Sequence, residues 1–292
     1  MEIGKLGVWY FFDAMAAEEA AAAARRIEAL GYGALWIPEA LGREAFASAS
    51  FLLCSTSKLV VATGIANIWA RDAMTMAAGR ATLAEQSGGR FLLGIGVSHR
   101  PLVSGVRGHD YSKPLSMMRS YLDAMDRAPY SAIPPTHAAP TVIGALHPRM
   151  LALAAERTAG AHPYLVPPEH TEFARRTMGP DAWLCVEQKV LLETDPEKAR
   201  SVARHAIAMY LELPNYRTNL ERFGYHDEDF TAGGSNRLVD AIVAWGNEDQ
   251  IRARIKAHHD AGANHVCIQP LHPLAMTRPD WNVLEALAPA AS

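Results

Sequence analysis

The sequence predicts a (β/α)8 barrel, and three observations lead there. Eight short apolar runs alternate with helical stretches, a rhythm that means parallel βαβ units with right-handed crossovers. The runs are continuously apolar, as expected of strands covered on both faces. A length of 292 residues suits eight such units closed into a barrel better than an open doubly wound sheet.

The elements follow in order. Lys5–Phe11 is rich in aromatic and β-branched residues and reads as strand one. Met15–Leu30 is an alanine-rich helix with Glu18 and Glu19 early, Arg25 and Arg26 late, and Gly31 as its stop. Ala34–Ile37 is strand two, followed by a helix at Phe46–Cys54. Lys58–Ile65 is strand three, with a helix at Asp72–Glu85 ended by Gly88 and Gly89. Phe91–Gly96 is strand four, and Pro114–Arg127 a helix with proline in its first turn, where a missing N–H costs nothing. The proline-rich stretch 128–140 is a connector without structure, because the same rhythm resumes after it. Thr141–Gly144 is strand five with the helix Pro148–Thr158, and Ala161–Val166 is strand six with the helix Pro168–Met178. Trp183–Leu192 is strand seven. Thr194 to Glu197 reads as a capping box that opens the helix Asp195–Leu211. Residues 212–235 are polar and aromatic and read as an insertion in a single domain spanning 1–292. Asn236–Ala261 is helical with an interruption at Gly246, His265–Gln269 is strand eight, and Asp280–Leu287 closes the chain as a helix.

Composition excludes several classes. Lys plus Arg is 28 against 31 for Asp plus Glu, a net charge of −3 without a basic cluster, which argues against nucleic acid. Cys54, Cys185 and Cys267 match no metal spacing or disulfide framework and suit a reducing cytoplasm. The apolar run Leu6–Phe12 is too short for a membrane span or a signal-peptide core.

In a barrel the site lies at the C-terminal ends of the strands. The residues there are Tyr10 after strand one and Glu39 after strand two. Strand three ends at Gly64, Ile65, Ala66 and Asn67, with Trp69 and Arg71 beyond. Strand four ends at Gly96, Val97, Ser98 and His99, and strand five at Gly144, Ala145, Leu146 and His147. Strand six, which carries Tyr164, leads to Pro168, Glu169, His170 and Thr171, and strand eight ends at Gln269. The small residues let a flat ring approach the backbone. Thr171 and free N–H groups at a helix start suit a phosphate. Ionisable rim groups are few, which fits a cofactor that carries its own chemistry better than a metal. Plainer readings stand beside these: Gly64 and Gly96 as strand-end turns, Glu169 and His170 as helix caps, Glu39 as a surface carboxylate. His258 and His259 read as solvated or dimer-facing. Gly94-Ile-Gly96 lacks the third glycine of a dinucleotide fingerprint, which disfavours a Rossmann enzyme.

Several segments resemble the luciferase-like monooxygenase superfamily: Gly7-Val-Trp-Tyr10, Leu30-Gly-Tyr-Gly-Ala-Leu-Trp36 and Gly89-Arg-Phe-Leu-Leu-Gly-Ile-Gly96. His162-Pro-Tyr-Leu-Val166, Pro168-Glu-His-Thr171, Leu191-Leu-Glu-Thr-Asp-Pro196, Leu213-Pro-Asn-Tyr216 and Asp240-Ala-Ile-Val-Ala-Trp-Gly246 resemble its actinobacterial F420-dependent oxidoreductase branch. The resemblance implies a luciferase-like TIM barrel with an insertion near the later strands. It implies coenzyme F420, or alternatively FMN, in the barrel mouth, with its phosphate near the strand-six turn. F420 relatives often carry a non-proline cis peptide at the end of strand three, and the matching bond is Gly64–Ile65. Many also carry Asp-His after strand two, where this chain has Glu39-Ala40. Some place a glutamate proton donor after strand four, where this chain has His99. Pro167 stands where close relatives tend to have Thr. The acid–base partner therefore rests between Glu39 and His99. The expected activity is hydride transfer between C5 of F420 and a small organic substrate, covered by Tyr216, Phe223, Tyr225 and Phe230 of the insertion. An FMNH2-dependent monooxygenase and a non-catalytic cofactor-binding protein are the alternatives. By analogy with these relatives the chain is a homodimer, for which the small-residue faces 45–50 and 73–81 offer close packing.

Overall fold

In the computed structural model, which describes residues 1–275 and 277–289, the chain winds as successive strand–helix units. These are β1 (Leu6–Trp9) with α1 (Ala17–Ala29), β2 (Ala34–Ile37) with α2 (Ala45–Ser55), and β3 (Val60–Thr63), extended after a break by β4 (Ala66–Asn67), with α3 (Ala73–Gln86). Next come β5 (Phe91–Gly96) with α4 (Pro114–Asp126), β6 (Thr141–Ile143) with α5 (Pro148–Arg157), and β7 (Gly160–Ala161) with α6 (Pro168–Met178). Then β8 (Trp183–Leu192) is followed by α7 (Pro196–Leu211), α8 (Pro214–Glu221) and α9 (Asn236–Ile242). Last are β9 (Val243–Gly246), α10 (Glu248–Asp260), β10 (His265–Pro270) and α11 (Trp281–Ala286). Strands β1, β2, β3, β5, β6, β7, β8 and β10 pair in parallel in that order, and β10 returns to β1 to close the barrel.

Side-chain parity sorts the barrel into two cores. Trp9, Ala34, Trp36, Val60, Ala62, Leu92, Val142, Cys185 and Cys267 pack together in the lumen. Neighbours of opposite parity, such as Val8, Leu35, Val61 and Leu93, join the larger core under the helices. Trp36 and His265 pair within the lumen. His265 donates from Nδ1 to the Gly4 carbonyl at 2.9 Å, leaving its Nε2 to accept from Trp36 Nε1 at 3.1 Å. Acidic side chains start several helices: Asp72, Asp195 and Asp280 each accept from a backbone N–H in the first turn.

Four local expectations need correction. The interruption at Gly246 is a strand: β9 pairs with residues 189–192 of β8, which outruns its barrel neighbours. Strand six shrinks to Gly160–Ala161, because Pro163 offers no N–H to a ladder. The cap of α7 is Asp195, which accepts from Glu197 and Lys198 N–H, rather than Thr194. His258 is fully buried, not solvated, because it lies on the inner face of α10 with Ile251 and Ile255. Residues 212–235 fold as α8 and a 3-10 segment at Asp227–Gly233. Among the described residues no helix is long and apolar enough to cross a membrane.

Candidate active site

The mouth is built around the break between β3 and β4. The Gly64–Ile65 peptide is cis. Three neighbours hold this bulge: Trp9 Nε1 donates to the Gly64 carbonyl at 3.0 Å, the Asn67 N–H donates to Glu39 Oε2 at 2.7 Å, and Thr63 Oγ1 donates to the Gly94 carbonyl at 2.7 Å. Ile65 then lies across the strand-end glycines. A Cβ on Gly96 would stand 2.6 Å from Ile65 Cδ1 and Cγ1, and one on Gly144 3.3 Å from Ile65 Cγ2. These glycines admit the bulge side chain, which is a narrower role than admitting a ring.

Glu39 is the hinge of this arrangement. Its side chain is 5% exposed and forms a two-pronged pair with Arg71, itself 9% exposed. Arg71 also reaches Glu44 at 2.6 Å and lies over the Phe46 ring at 4.7 Å. Both Glu39 oxygens are thus engaged, one of them twice. His99 differs. Its ring packs 5.1 Å from that of Tyr216, and no hydrogen-bond partner meets its imidazole among the described residues. Burial lowers its pKa from the usual value near 6.5 to about 4, so it is neutral at pH 7. Ser98, just before it, sits at φ +55 with its carbonyl taking the Tyr111 hydroxyl at 2.7 Å. Left-handed backbone at a non-glycine residue is uncommon and concentrates at working sites. Leu165, at φ +59, shows the same feature after β7, where its N–H donates to Glu187.

The floor of the mouth holds residues that strand-end reasoning passed over. Glu187 and Lys189 point into the lumen from β8, each 1% exposed and 3.3 Å apart. Lys189 Nζ lies 3.9 Å from the Tyr164 ring centre. The Tyr164 hydroxyl donates to Gln269 and lies 3.1 Å from that of Tyr210. Burial raises the Glu187 pKa and lowers that of Lys189, each opposed by the other's charge. A charged pair at i,i+2 inside an apolar strand was the available signal. Trp9, not Tyr10, faces the lumen; Tyr10 packs against Phe12 under the helices. Asn67 remains central: its side chain is fully buried, and its Nδ2 has no acceptor.

The turn into α6 is less generous to an anion than its sequence suggests. Pro167 and Pro168 have no N–H, and the N–H groups of His170 and Thr171 both donate to the Pro167 carbonyl. Glu169 N–H is what the turn offers, with the exposed Arg222 guanidinium near His147 beside it. Thr171 Oγ1 is buried and bonds His258 Nδ1 at 2.8 Å, and His258 in turn bonds Gln188. His170 is buried with Nε2 on the Leu146 carbonyl at 2.9 Å. Gly144, Ala145 and Val97 line the rim as strand-end backbone. Over this rim lies α8, with Asn215 bonded to His147 at 3.1 Å and Tyr216 6.1 Å from Tyr164. Among the described residues no cluster of three or more His, Cys, Asp or Glu is placed to hold a metal.

The luciferase-like monooxygenase family model matches residues 5–265, so the chain belongs to that family and with it to the oxidoreductases. A protein of Mycobacterium tuberculosis assigned by name to the coenzyme F420-dependent oxidoreductases, Rv3520c, is 26% identical over 286 residues, covering 83% of this chain and 80% of the relative. The structure of coenzyme F420-dependent tetrahydromethanopterin reductase from Methanopyrus kandleri superposes with a TM-score of 0.80 at 18% identity, over 99% of this chain and 98% of that one. The FMN complex of the oxygenating constituent of 3,6-diketocamphane monooxygenase from Pseudomonas putida gives 0.73 at 15% identity, over 97% and 96%. At such identities the structural likenesses establish the luciferase-like barrel.

Proposed function

We propose that the protein is an F420-dependent oxidoreductase that moves a hydride between the deazaflavin C5 and a small organic substrate. The observation that carries this reading is His99, a neutral imidazole free of hydrogen-bond partners among the described residues, just after β5 and packed against Tyr216 at the mouth. The residues present fit the cofactor. The buried donor Asn67 Nδ2 lacks an acceptor, and a deazaflavin ring carries carbonyl oxygens that would take it. Glu169 N–H and Arg222 are the groups that would meet the phosphate end. When bound, the deazaflavin supplies the hydride-accepting or hydride-donating carbon.

This chain's residues do the rest. Glu39, fixed by Arg71, holds the Asn67 backbone and with it the bulge. Tyr216 and the rest of α8 cover the mouth and exclude water. His99 takes the proton that leaves a substrate as its hydride is removed. Glu39, although it matches the acidic position of relatives, is assigned to the scaffold.

Anaerobic titration of the purified protein with F420 and with FMN tests the reading. Saturable F420 binding is expected, and tight FMN binding without F420 binding would overturn it in favour of an FMNH2-dependent monooxygenase, the reading that the FMN-bound neighbour supports. With an accepted substrate, His99→Ala should lower the hydride-transfer rate by roughly 10²-fold or more, the usual scale of general acid–base catalysis. We further propose a cytoplasmic homodimer, supported by the exposed Phe51, Met74 and Met117 on α2, α3 and α4; sedimentation should show twice the chain mass.

A further inference from the structure

Along α8 one face looks onto the mouth. Asn215 meets His147, Tyr216 meets His99 and Tyr164, and Phe223, in the turn that follows, meets the His170 ring at 5.6 Å. Asn219 is one helical turn from both Asn215 and Phe223, so it belongs to the same face. It is fully buried, and neither its Nδ2 nor its Oδ1 has a partner. On α6, facing Phe223, His170 is fully buried and its Nδ1 is likewise unpartnered. Because His170 Nε2 lies on a carbonyl, Nε2 carries the proton and Nδ1 presents a lone pair.

Buried polar groups in a folded protein are almost always satisfied, so this cluster calls for a partner that the chain does not supply. Its chemistry narrows that partner. The unmet atoms are two acceptors, Asn219 Oδ1 and His170 Nδ1, and the amide nitrogen Asn219 Nδ2 with its two N–H groups. A phosphodiester only accepts, and would leave both Asn219 Oδ1 and His170 Nδ1 without a donor. A carbonyl has the same fault. Hydroxyl groups both donate and accept, so a short run of them satisfies all three atoms. The place agrees. Asn219 lies along α8 between Tyr216, which faces the bulge side of the mouth, and Arg222, beside the α6 turn.

We infer that Asn219 and His170 bind the hydroxylated chain that links the cofactor ring to its phosphate, so that α8 is a cofactor-binding element as well as a cover. This rests on the proposed function, and it assigns α8 residues that strand-end reasoning does not reach. The unmet amide is kept at the expense of the cofactor-free protein, because a buried donor and acceptor without partners are destabilising.

The test combines binding and stability. Wild type and Asn219→Leu are titrated by deazaflavin fluorescence with F420 and with an N10-methyl deazaflavin that lacks the hydroxylated chain. Urea unfolding of both cofactor-free proteins is measured in parallel. Asn219→Leu should weaken F420 about tenfold, the scale of one or two hydrogen bonds, and change the N10-methyl compound less than about twofold. Its urea midpoint without cofactor should equal or exceed that of wild type. Unchanged F420 affinity, equal losses for both compounds, or a lowered midpoint would each overturn the inference. Asn219→Ala repeats the binding comparison should the larger side chain prevent folding. Wild type that binds neither F420 nor FMN would instead sink the proposed function itself, which separates the two failures.

Discussion

Replacing Arg71 by methionine tests whether the mouth is built on an ion pair. In the native fold the Glu39 side chain is 5% exposed and receives two hydrogen bonds from Arg71 and one from the Asn67 N–H. Methionine keeps the packing against Phe46 but leaves a buried carboxylate with one backbone donor. Breaking a buried pair from one side costs about 3–5 kcal/mol. The second Arg71 contact, to Glu44 at 51% exposure, adds little, since exposed pairs contribute ~0–1 kcal/mol. The net is a loss of about 3–5 kcal/mol, or a fall in Tm of roughly 5–15 °C for a chain of this size. Adding Glu39→Gln to Arg71→Met removes the stranded charge, so the double variant should recover part of the loss. Urea unfolding of the wild type, both single variants and the double variant gives the complete cycle. A loss below about 1 kcal/mol in Arg71→Met, or a double variant worse than the sum of the singles, would refute the reasoning. Arg71→Met should also weaken cofactor binding, because the carboxylate that fixes Asn67 loses its own anchor.

Two other predictions concern the packed interior. Burial lowers the pKa values of His162, His170 and His265 to about 4 and that of His258 to about 3. Below the ordinary value near 6.5 the unfolded chain binds protons that the fold refuses, so stability is complete above about pH 6.5 and falls as pH drops toward 4. Each imidazole contributes a slope of up to ~1.4 kcal/mol per pH unit in that window, and urea midpoints that stay flat from pH 7 to 5 would contradict it. Gly96→Ala drives a methyl group into Ile65 and should cost ~1–3 kcal/mol, with Ile65→Ala in the same chain restoring most of it; a Gly96→Ala protein as stable as wild type would show that Ile65 gives way freely.

The fold was legible because parallel strands announce themselves as apolar runs and helices as acid-capped stretches. The exceptions have physical causes. In β9 the run Val243–Gly246 is four residues long and sits between two helices, too short to interrupt a helical reading. His258 and His259 are adjacent, and a helix sends neighbours to different faces, so the pair was never one group. The site divided along the same line. Gly64, Ile65, Asn67 and His99 could be placed at strand ends from the sequence because a barrel fixes where strands end. Tyr10 stands at the end of strand one, but parity within a strand is invisible until register is known, and Trp9 is the residue that faces the lumen. Thr171 looked available to a phosphate, but its position on α6 turns the hydroxyl toward His258. Asn219 carried no signal in the sequence, since only tertiary packing shows that an asparagine is buried without partners.

The surroundings of Glu39 and His99 together bear on the acid–base partner of the proposed reaction. Reducing a substrate needs a proton donor, and oxidising one needs a base. Arg71 commits Glu39 to holding the bulge, which leaves His99 of the two. Burial lowers its pKa to about 4, so His99 is neutral at pH 7 and presents a lone pair that can accept a proton. Desolvation causes this shift, and closure of α8 over the mouth preserves the desolvation. An imidazole held in this state takes a proton as a substrate is oxidised and returns it as one is reduced, so His99 can serve the proposed reaction in either direction.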